Sequence, residues 1–387
     1  MSGPLLRPFG AAPGAALAGV MAVTALFSMF MSNTATASMM LALVAPMLAR
    51  LPADEPFRRA VLLGVAFAAS IGGMGTPIGS PPNAVAVGHL RAAGEAPRFL
   101  ERMLVAAPLV AVCLALAWGV LWYLCRPSDA GPRVRIEPAA VGARGWFVVA
   151  VFTATVLPWL SGRWHGLPAA VVALLPAVAF TATRTLTADG LNGIDWSVLI
   201  LIAGGIALGA GLALSGLDRI VVGWLPLGAG GLPRLVAATA AAALLLSSFM
   251  SNTAASNLLL PIGISAAVAL DGGTRVREVA MAIALAASLA MALPVSTPPN
   301  APGYSRGRFA VRDMALPGVL IGVAGASLVA FCVEPSDSGR GCSEPRADAV
   351  AAGRPLTRRR LSARGRPMPS RAAGRCGAAG GRAGRTR

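Results

Sequence analysis

The stretch MSNTATASMMLALVAP, residues 31–46, sets Ser32, Asn33 and Thr34 directly against a run of apolar residues, and nearly the same phrase, MSNTAASNLLLPI, returns at 250–262. A helix needs about 20 consecutive apolar residues to span a hydrocarbon core. The pieces beside these polar triplets, 35–49, 235–250 and 254–270, are too short to cross alone. Short apolar arms meeting at a polar tip read as re-entrant hairpins. Irregular backbone of that kind is tolerated at membrane depth only where protein or a water-filled cavity supplies hydrogen-bond partners.

The rest of the chain fits a membrane interior. Hydrophobic residues make up 56% of the 387 and charged residues 13%, with a mean hydropathy of +0.68, too apolar for a soluble domain. The stretches 11–31, 103–124, 145–160, 167–183, 197–214 and 314–333 are long enough, or nearly so, to cross. They lack alternation, which indicates helices rather than a lipid-facing barrel. The N-terminus carries one Arg and no clear cleavage site, so no signal peptide is expected.

The formal charge of +17 first reads as a nucleic-acid signal, but thirteen Arg against three acids lie after Glu334. That tail is rich in Gly, Ala, Pro and Ser, and is expected to be disordered and solvated. No aromatic platform is interleaved with its Args, so no nucleic acid partner is expected. The five cysteines show no C-x-x-C spacing, and the two histidines are isolated, which indicates neither a disulfide framework nor a zinc site.

A glycine- and proline-broken helix follows each hairpin: SIGGMGTPIGSPPNA at 70–84 and SLAMALPVSTPPNA at 288–301. Both end in a hydroxyl residue, two prolines and an asparagine. Two motifs in the same order at nearly the same spacing form an internal repeat. The broken helix at 59–90 and the spans 103–124, 145–160, 167–183 and 197–214 make an odd number of crossings between the hairpins. The second hairpin therefore enters from the opposite face, as in secondary transporters with inverted repeats and a site at the midplane. The reading is an all-α integral membrane protein, an inverted-repeat secondary transporter with two re-entrant hairpins and two broken helices.

The expected layout is a first repeat at 1–125, shortened before its hairpin, a cytoplasmic linker at 126–144, a second repeat at 145–333 and the Arg-rich tail at 334–387. The segment 217–234 is expected along the interface. Arg placement puts 50–59 and 126–144 in the cytoplasm. Counting on from there sets the C-terminus outside, whereas the Arg-rich tail favours the inside.

Re-entrant tips combine two chemistries. A helix that starts there offers free N–H groups and a positive dipole end to an anion; one that stops offers carbonyls to Na⁺. Ser and Thr hydroxyls and the Asn amide N–H₂ add donors, while the Asn amide oxygen can ligate a hard cation. Asp and Glu, which would repel an anion, are missing from both tips and both loops, and so is Arg. The positive charge that balances a dianion is therefore expected from bound cations and helix dipoles. Taken singly, a Ser-Asn-Thr is more simply a helix N-cap; duplication of both motifs in one order favours a site.

S-N-T at 32–34 and 251–253, with GSPPN at 79–83 and STPPN at 296–300, resembles the divalent anion:sodium symporter family, the carriers of dicarboxylates, citrate and sulfate. The likeness covers roughly residues 12–333. It implies that Ser32, Asn33, Thr34, Ser251, Asn252 and Thr253 contact one substrate, with Ser80 and Thr297 next. It also implies two Na⁺ sites. The first uses Asn33 with groups at Ser28, Ser32 and Gly79, and the second uses Asn252 with groups at Ser247, Met250 and Ser296. The resemblance further implies a homodimer whose substrate-carrying domain moves against a fixed scaffold. The expected function is sodium-coupled transport of a small divalent anion, a C4-dicarboxylate such as succinate, by a multi-pass protein of the cell inner membrane. The alternative is a non-transporting remnant of such a carrier. An intramembrane hydrolase is disfavoured, because no His, Lys or acid lies near Ser32 or Ser251 to act as base.

Overall fold

The computed structural model describes residues 12–52, 55–95, 97–126, 142–187, 190, 196–217, 220, 231–307 and 310–333. The tail, most of the 126–144 linker and most of the 217–234 segment lie outside these residues. Every regular element among the described residues is a helix.

Two helices form the centre: α3 (Pro56–Gly73) and α13 (Val276–Ser288), buried over almost their whole lengths. Their sequences, AVLLGVAFAAS and VAMAIALAAS, are apolar on all sides and dominated by small residues. That pattern lets neighbouring membrane helices approach closely from every direction. A non-helical loop follows each, and then a second helix: α4 (Pro81–Ala92) after α3, and α14 (Asn300–Gly307) after α13. Proline at the start of α4 fits a first turn, where its missing N–H has no intrahelical partner.

The hairpins flank these broken helices. In the first, α1 (Pro13–Ser28) and α2 (Asn33–Leu48) meet at a turn over 29–32, and α1 lies along α3. In the second, α11 (Gly231–Phe249) and α12 (Asn252–Asp271) meet at Met250–Ser251, and α11 lies along α13. The halves exchange partners: α4 packs on α12 and α13, while α14 packs on α2 and α3. The long helices α5 (Phe99–Leu124) and α15 (Val311–Val333) pack on each other. Their outer faces present Leu104, Val112, Val319 and Phe331, each at least half exposed, as a lipid-facing surface requires. At the periphery lie α6 (Ala143–Leu160), α7 (Gly162–His165), α8 (Ala169–Val172), α9 (Leu174–Ala182) and α10 (Trp196–Ser215).

Three expectations about length change. The stretch 11–31 is not one long span: α1 has 16 residues, about 24 Å, and gives way to a turn at Met29. The stretch 167–183 is broken at Ala173 into α8 and α9. Pro176 has no N–H to donate to the Val172 carbonyl, and its ring crowds that carbonyl. The arms of the second hairpin, in contrast, are longer than read. Pro233 and Arg234 are taken into the start of α11, so α11 has 19 residues and α12 has 20, each long and apolar enough to cross.

Candidate functional site

The site grows from Asn33, buried at the first position of α2. Its amide meets the end of α3 and the loop after it. Ser28 Oγ lies 2.8 Å from Asn33 Oδ1 and 2.6 Å from the Ala69 carbonyl oxygen, and its single proton serves only one of them. With Nδ2 turned inward instead, the amide donates to the Gly79 carbonyl (2.8 Å), to Ser28 Oγ (2.8 Å) and to the Ala69 carbonyl (3.3 Å). Hydrogen bonding alone therefore favours the inward nitrogen. With the oxygen inward, Asn33 Oδ1, Ser28 Oγ and two carbonyl oxygens face one another, a donor set that a hard cation stabilises. Asn33, Ser28 and Gly79 thus come together as the sequence implied, joined by the Ala69 carbonyl, which it did not single out.

Glycine makes this approach possible. A Cβ on Gly73 would run into the Asn33 amide, and one on Gly79 would come within 2.6 Å of the Gly73 carbonyl oxygen. The loop is fastened from two further sides. The Thr76 hydroxyl donates to the Met29 carbonyl in the hairpin turn. Asn83 Nδ2 donates to the carbonyls of Gly73 (3.1 Å), Met74 (3.3 Å) and Thr76 (2.8 Å).

The second half repeats these devices. Ser247 Oγ donates to the Ala287 carbonyl at 2.8 Å, as Ser28 does to Ala69. Asn300 Nδ2 donates to the carbonyls of Met291 (3.3 Å) and Leu293 (2.9 Å), as Asn83 does in its own loop. Asn252 is buried at the start of α12, where its Oδ1 accepts from Thr253 Oγ1 at 3.4 Å. Ser296 is also buried and donates to Leu293, while Met250 is half-buried in the turn.

The N-cap reading accounts for part of the triplets. Ser251 Oγ accepts from the Ala254 N–H at 3.2 Å, whereas Ser32, at the same position of α2, makes no cap bond and is exposed. Neither reading of a cap explains the buried asparagines. The first turns of α2 and α12 keep N–H groups without intrahelical partners. At α4 the prolines remove two such donors, and the N–H groups of Asn83 and Ala84 both turn to the Ser80 carbonyl. The first turns of α2 and α12 carry no proline and keep those donors.

Between the halves lie four buried hydroxyls in two crossed pairs: Ser70 with Thr297 at 3.3 Å, and Ser80 with Ser288 at 3.4 Å. Each hydroxyl ahead of a Pro-Pro pair is held by a serine of the other half. Ser70 and Ser288 were not singled out from sequence, although they close the matching runs AFAAS (66–70) and ALAAS (284–288). Also unread was Arg102 of α5. The tips and loops carry no Arg of their own, but Arg102 reaches across from a neighbouring helix and donates to Asn83 Oδ1 at 2.9 Å.

Comparison with known proteins gives the family of the chain. The sequence profile of the citrate transporter family, CitMHS, matches residues 1–163 and 159–368. The low-affinity phosphate transporter PHO90 of Saccharomyces cerevisiae is 29% identical over 267 residues, covering 67% of this chain and 30% of that protein. An uncharacterized transporter of Haemophilus influenzae is 33% identical over 269 residues, covering 64% and 57%. The sodium-dependent dicarboxylate transporter SdcS of Staphylococcus saprophyticus is 27% identical over 382 residues, covering 88% and 73%. The chain thus spans less than two thirds of the length of the first two of these relatives.

Proposed function

The chain belongs to the citrate transporter family, and from that premise we propose that it couples Na⁺ to the movement of a small divalent anion, a C4-dicarboxylate such as succinate. It is a multi-pass membrane transporter rather than an enzyme. The observation that carries the sodium reading is the gathering of Ser28 Oγ and the Ala69 and Gly79 carbonyls around the inward atom of the Asn33 amide. Asn33 can donate to its neighbours without an ion and ligate with one, so ion binding changes the group it presents at the tip. The anion is held by the first-turn N–H groups of α2 and α12 with Ser32, Thr34, Ser251 and Thr253, while Ser80 and Thr297 close the site from the loops. A second cation sits at Asn252, with Ser247, Met250 and Ser296. The relative SdcS is named for sodium-dependent dicarboxylate transport, which agrees with this reading.

Inverted repeats receive support from two ion pairs. Arg59, at the start of α3, pairs with Asp313, at the start of α15, at 3.3 Å. Arg277, at the start of α13, lies 3.8 Å from Glu101, at the start of α5. Because α3 and α4 together cross once before α5 begins, α3 and α13 start on opposite faces. The hairpins that precede them then open oppositely. In this reading the chain lies in the inner membrane and works as a homodimer.

Purified protein in proteoliposomes is expected to take up radiolabelled succinate only under an inward Na⁺ gradient. Phosphate uptake exceeding that of succinate would move the substrate to the class named for PHO90. No uptake of either, from protein that melts cooperatively, would favour the remnant. Gly73→Ala tests the cradle directly. Its Cβ must displace the Asn33 amide, so it is expected to lower sodium-driven uptake by at least about tenfold with little change in melting temperature. Uptake at the wild-type rate would remove Asn33 from the site.

A further inference from the structure

Arg102 is 1% exposed and heads the largest fully buried side chains of the described residues. Its Nη2 donates to Asn83 Oδ1 at 2.9 Å, and its Nη1 has no hydrogen-bond partner. No carboxylate among the described residues pairs with it. Glu101, next to it on α5, is turned instead toward Arg98 (3.9 Å) and Arg277 (3.8 Å). Taking a guanidinium out of water without an acid partner is costly, and the cost falls when an anion arrives. A counter-charge built into the protein would have removed that dependence.

The position of this charge gives it a use. Asn83, which accepts from Arg102, holds the Gly73 and Thr76 carbonyls, and Gly73 abuts the Asn33 amide. The guanidinium therefore stands behind the first loop, in a low-dielectric interior where its field is weakly screened. The second half has the same asparagine without the charge: Asn300 Oδ1 is buried and has no partner.

We infer that Arg102 is a fixed cation that determines specificity for the anion and opposes the cation at Asn33, making the two cation sites unequal and the one at Asn252 the tighter. This inference rests on the reading of the site as a sodium and anion cradle. Arg102 does not touch the substrate; it acts through its field on the first loop.

The test compares wild type, Arg102→Lys and Arg102→Gln in proteoliposomes, measuring succinate KM at saturating Na⁺ and the half-saturating Na⁺ concentration at saturating succinate. Arg102→Gln is expected to raise the succinate KM by roughly tenfold and to lower the half-saturating Na⁺ several-fold, with Lys close to wild type. Opposite shifts separate a field effect from structural damage, which weakens both. Parallel weakening, or no change in either constant, overturns the inference.

Should Arg102→Gln not fold, the inequality is measured with Arg102 in place. Na⁺ titration of purified Asn33→Ala reads the second site, and titration of Asn252→Ala reads the first. The second site is expected to bind roughly tenfold more tightly; equal affinities, or a tighter first site, overturn the inference. A wild type that carries succinate without Na⁺ sinks the underlying sodium reading, whereas sodium-driven uptake with unaltered constants in Arg102→Gln sinks this inference alone.

Discussion

Asn33→Ala and Asn252→Ala are each expected to abolish sodium-driven uptake while leaving a folded protein. Both asparagines are buried at the first position of a helix, 5% and 1% exposed. Alanine is well tolerated by the helix itself. What it removes from the first half is a group within reach of Ser28 Oγ and the Ala69 and Gly79 carbonyls. Without an amide, the Gly79 carbonyl loses its donor when the ion is absent, Ala69 keeps only Ser28, and the site lacks a fourth ligand when the ion is present. The cost of the unsatisfied groups, about 1–3 kcal/mol each, is felt in both states. The ion-bound state additionally loses a ligand, so the population that can bind the anion collapses. Each variant should melt within a few degrees of wild type in detergent and show uptake no higher than empty liposomes. Sodium-independent uptake at a normal rate in either variant would remove that asparagine from coupling.

The membrane class and the pairing of hairpin with broken helix could be read from sequence because they rest on local signals. Ser-Asn-Thr beside an apolar run marks a tip, and Pro-Pro after a glycine-rich stretch marks a helix start. Lengths were less readable where a single proline decides. Pro176 splits α8 from α9, while Pro233 falls in a first turn and is absorbed into α11. The ligating partners were half readable. In the first half Ser28 and Gly79 gather at Asn33, whereas in the second Ser247 meets the Ala287 carbonyl and Asn252 meets Thr253. The Ala69 and Ala287 carbonyls carry no side-chain signature at all. The crossed hydroxyl pairs depend on how the halves meet, which no local pattern encodes. Arg102 was missed for the same reason: in sequence it is one more arginine near a helix end, beside a glutamate that offers an obvious partner. Only the tertiary fold, in which α5 packs on α3 and α15, turns Glu101 toward Arg277 and Arg102 toward Asn83.

The unequal partners of the two loop asparagines predict unequal losses on replacement by leucine, which has nearly the same volume and no polar group. Asn83→Leu removes three donated hydrogen bonds to loop carbonyls and strips Arg102 of its acceptor. Breaking the partner of a buried charge costs about 3–5 kcal/mol, and each stranded carbonyl adds to that. Asn300→Leu also frees the Met291 carbonyl, but the Leu293 carbonyl keeps its Ser296 donors and the Asn300 Oδ1 had no partner to lose. Asn83→Leu is therefore expected to lose the cooperative melt, with little monodisperse protein recovered in detergent. Asn300→Leu should give recoverable protein with a lowered melting temperature and no uptake. Arg102→Met in the Asn83→Leu background is the decisive addition. It removes the stranded charge, and it should restore part of the melting temperature without restoring uptake, because the loop remains unfastened. Equal destabilisation by the two leucines, or no recovery in the double variant, would mean that Arg102 is not held by Asn83 in the folded protein.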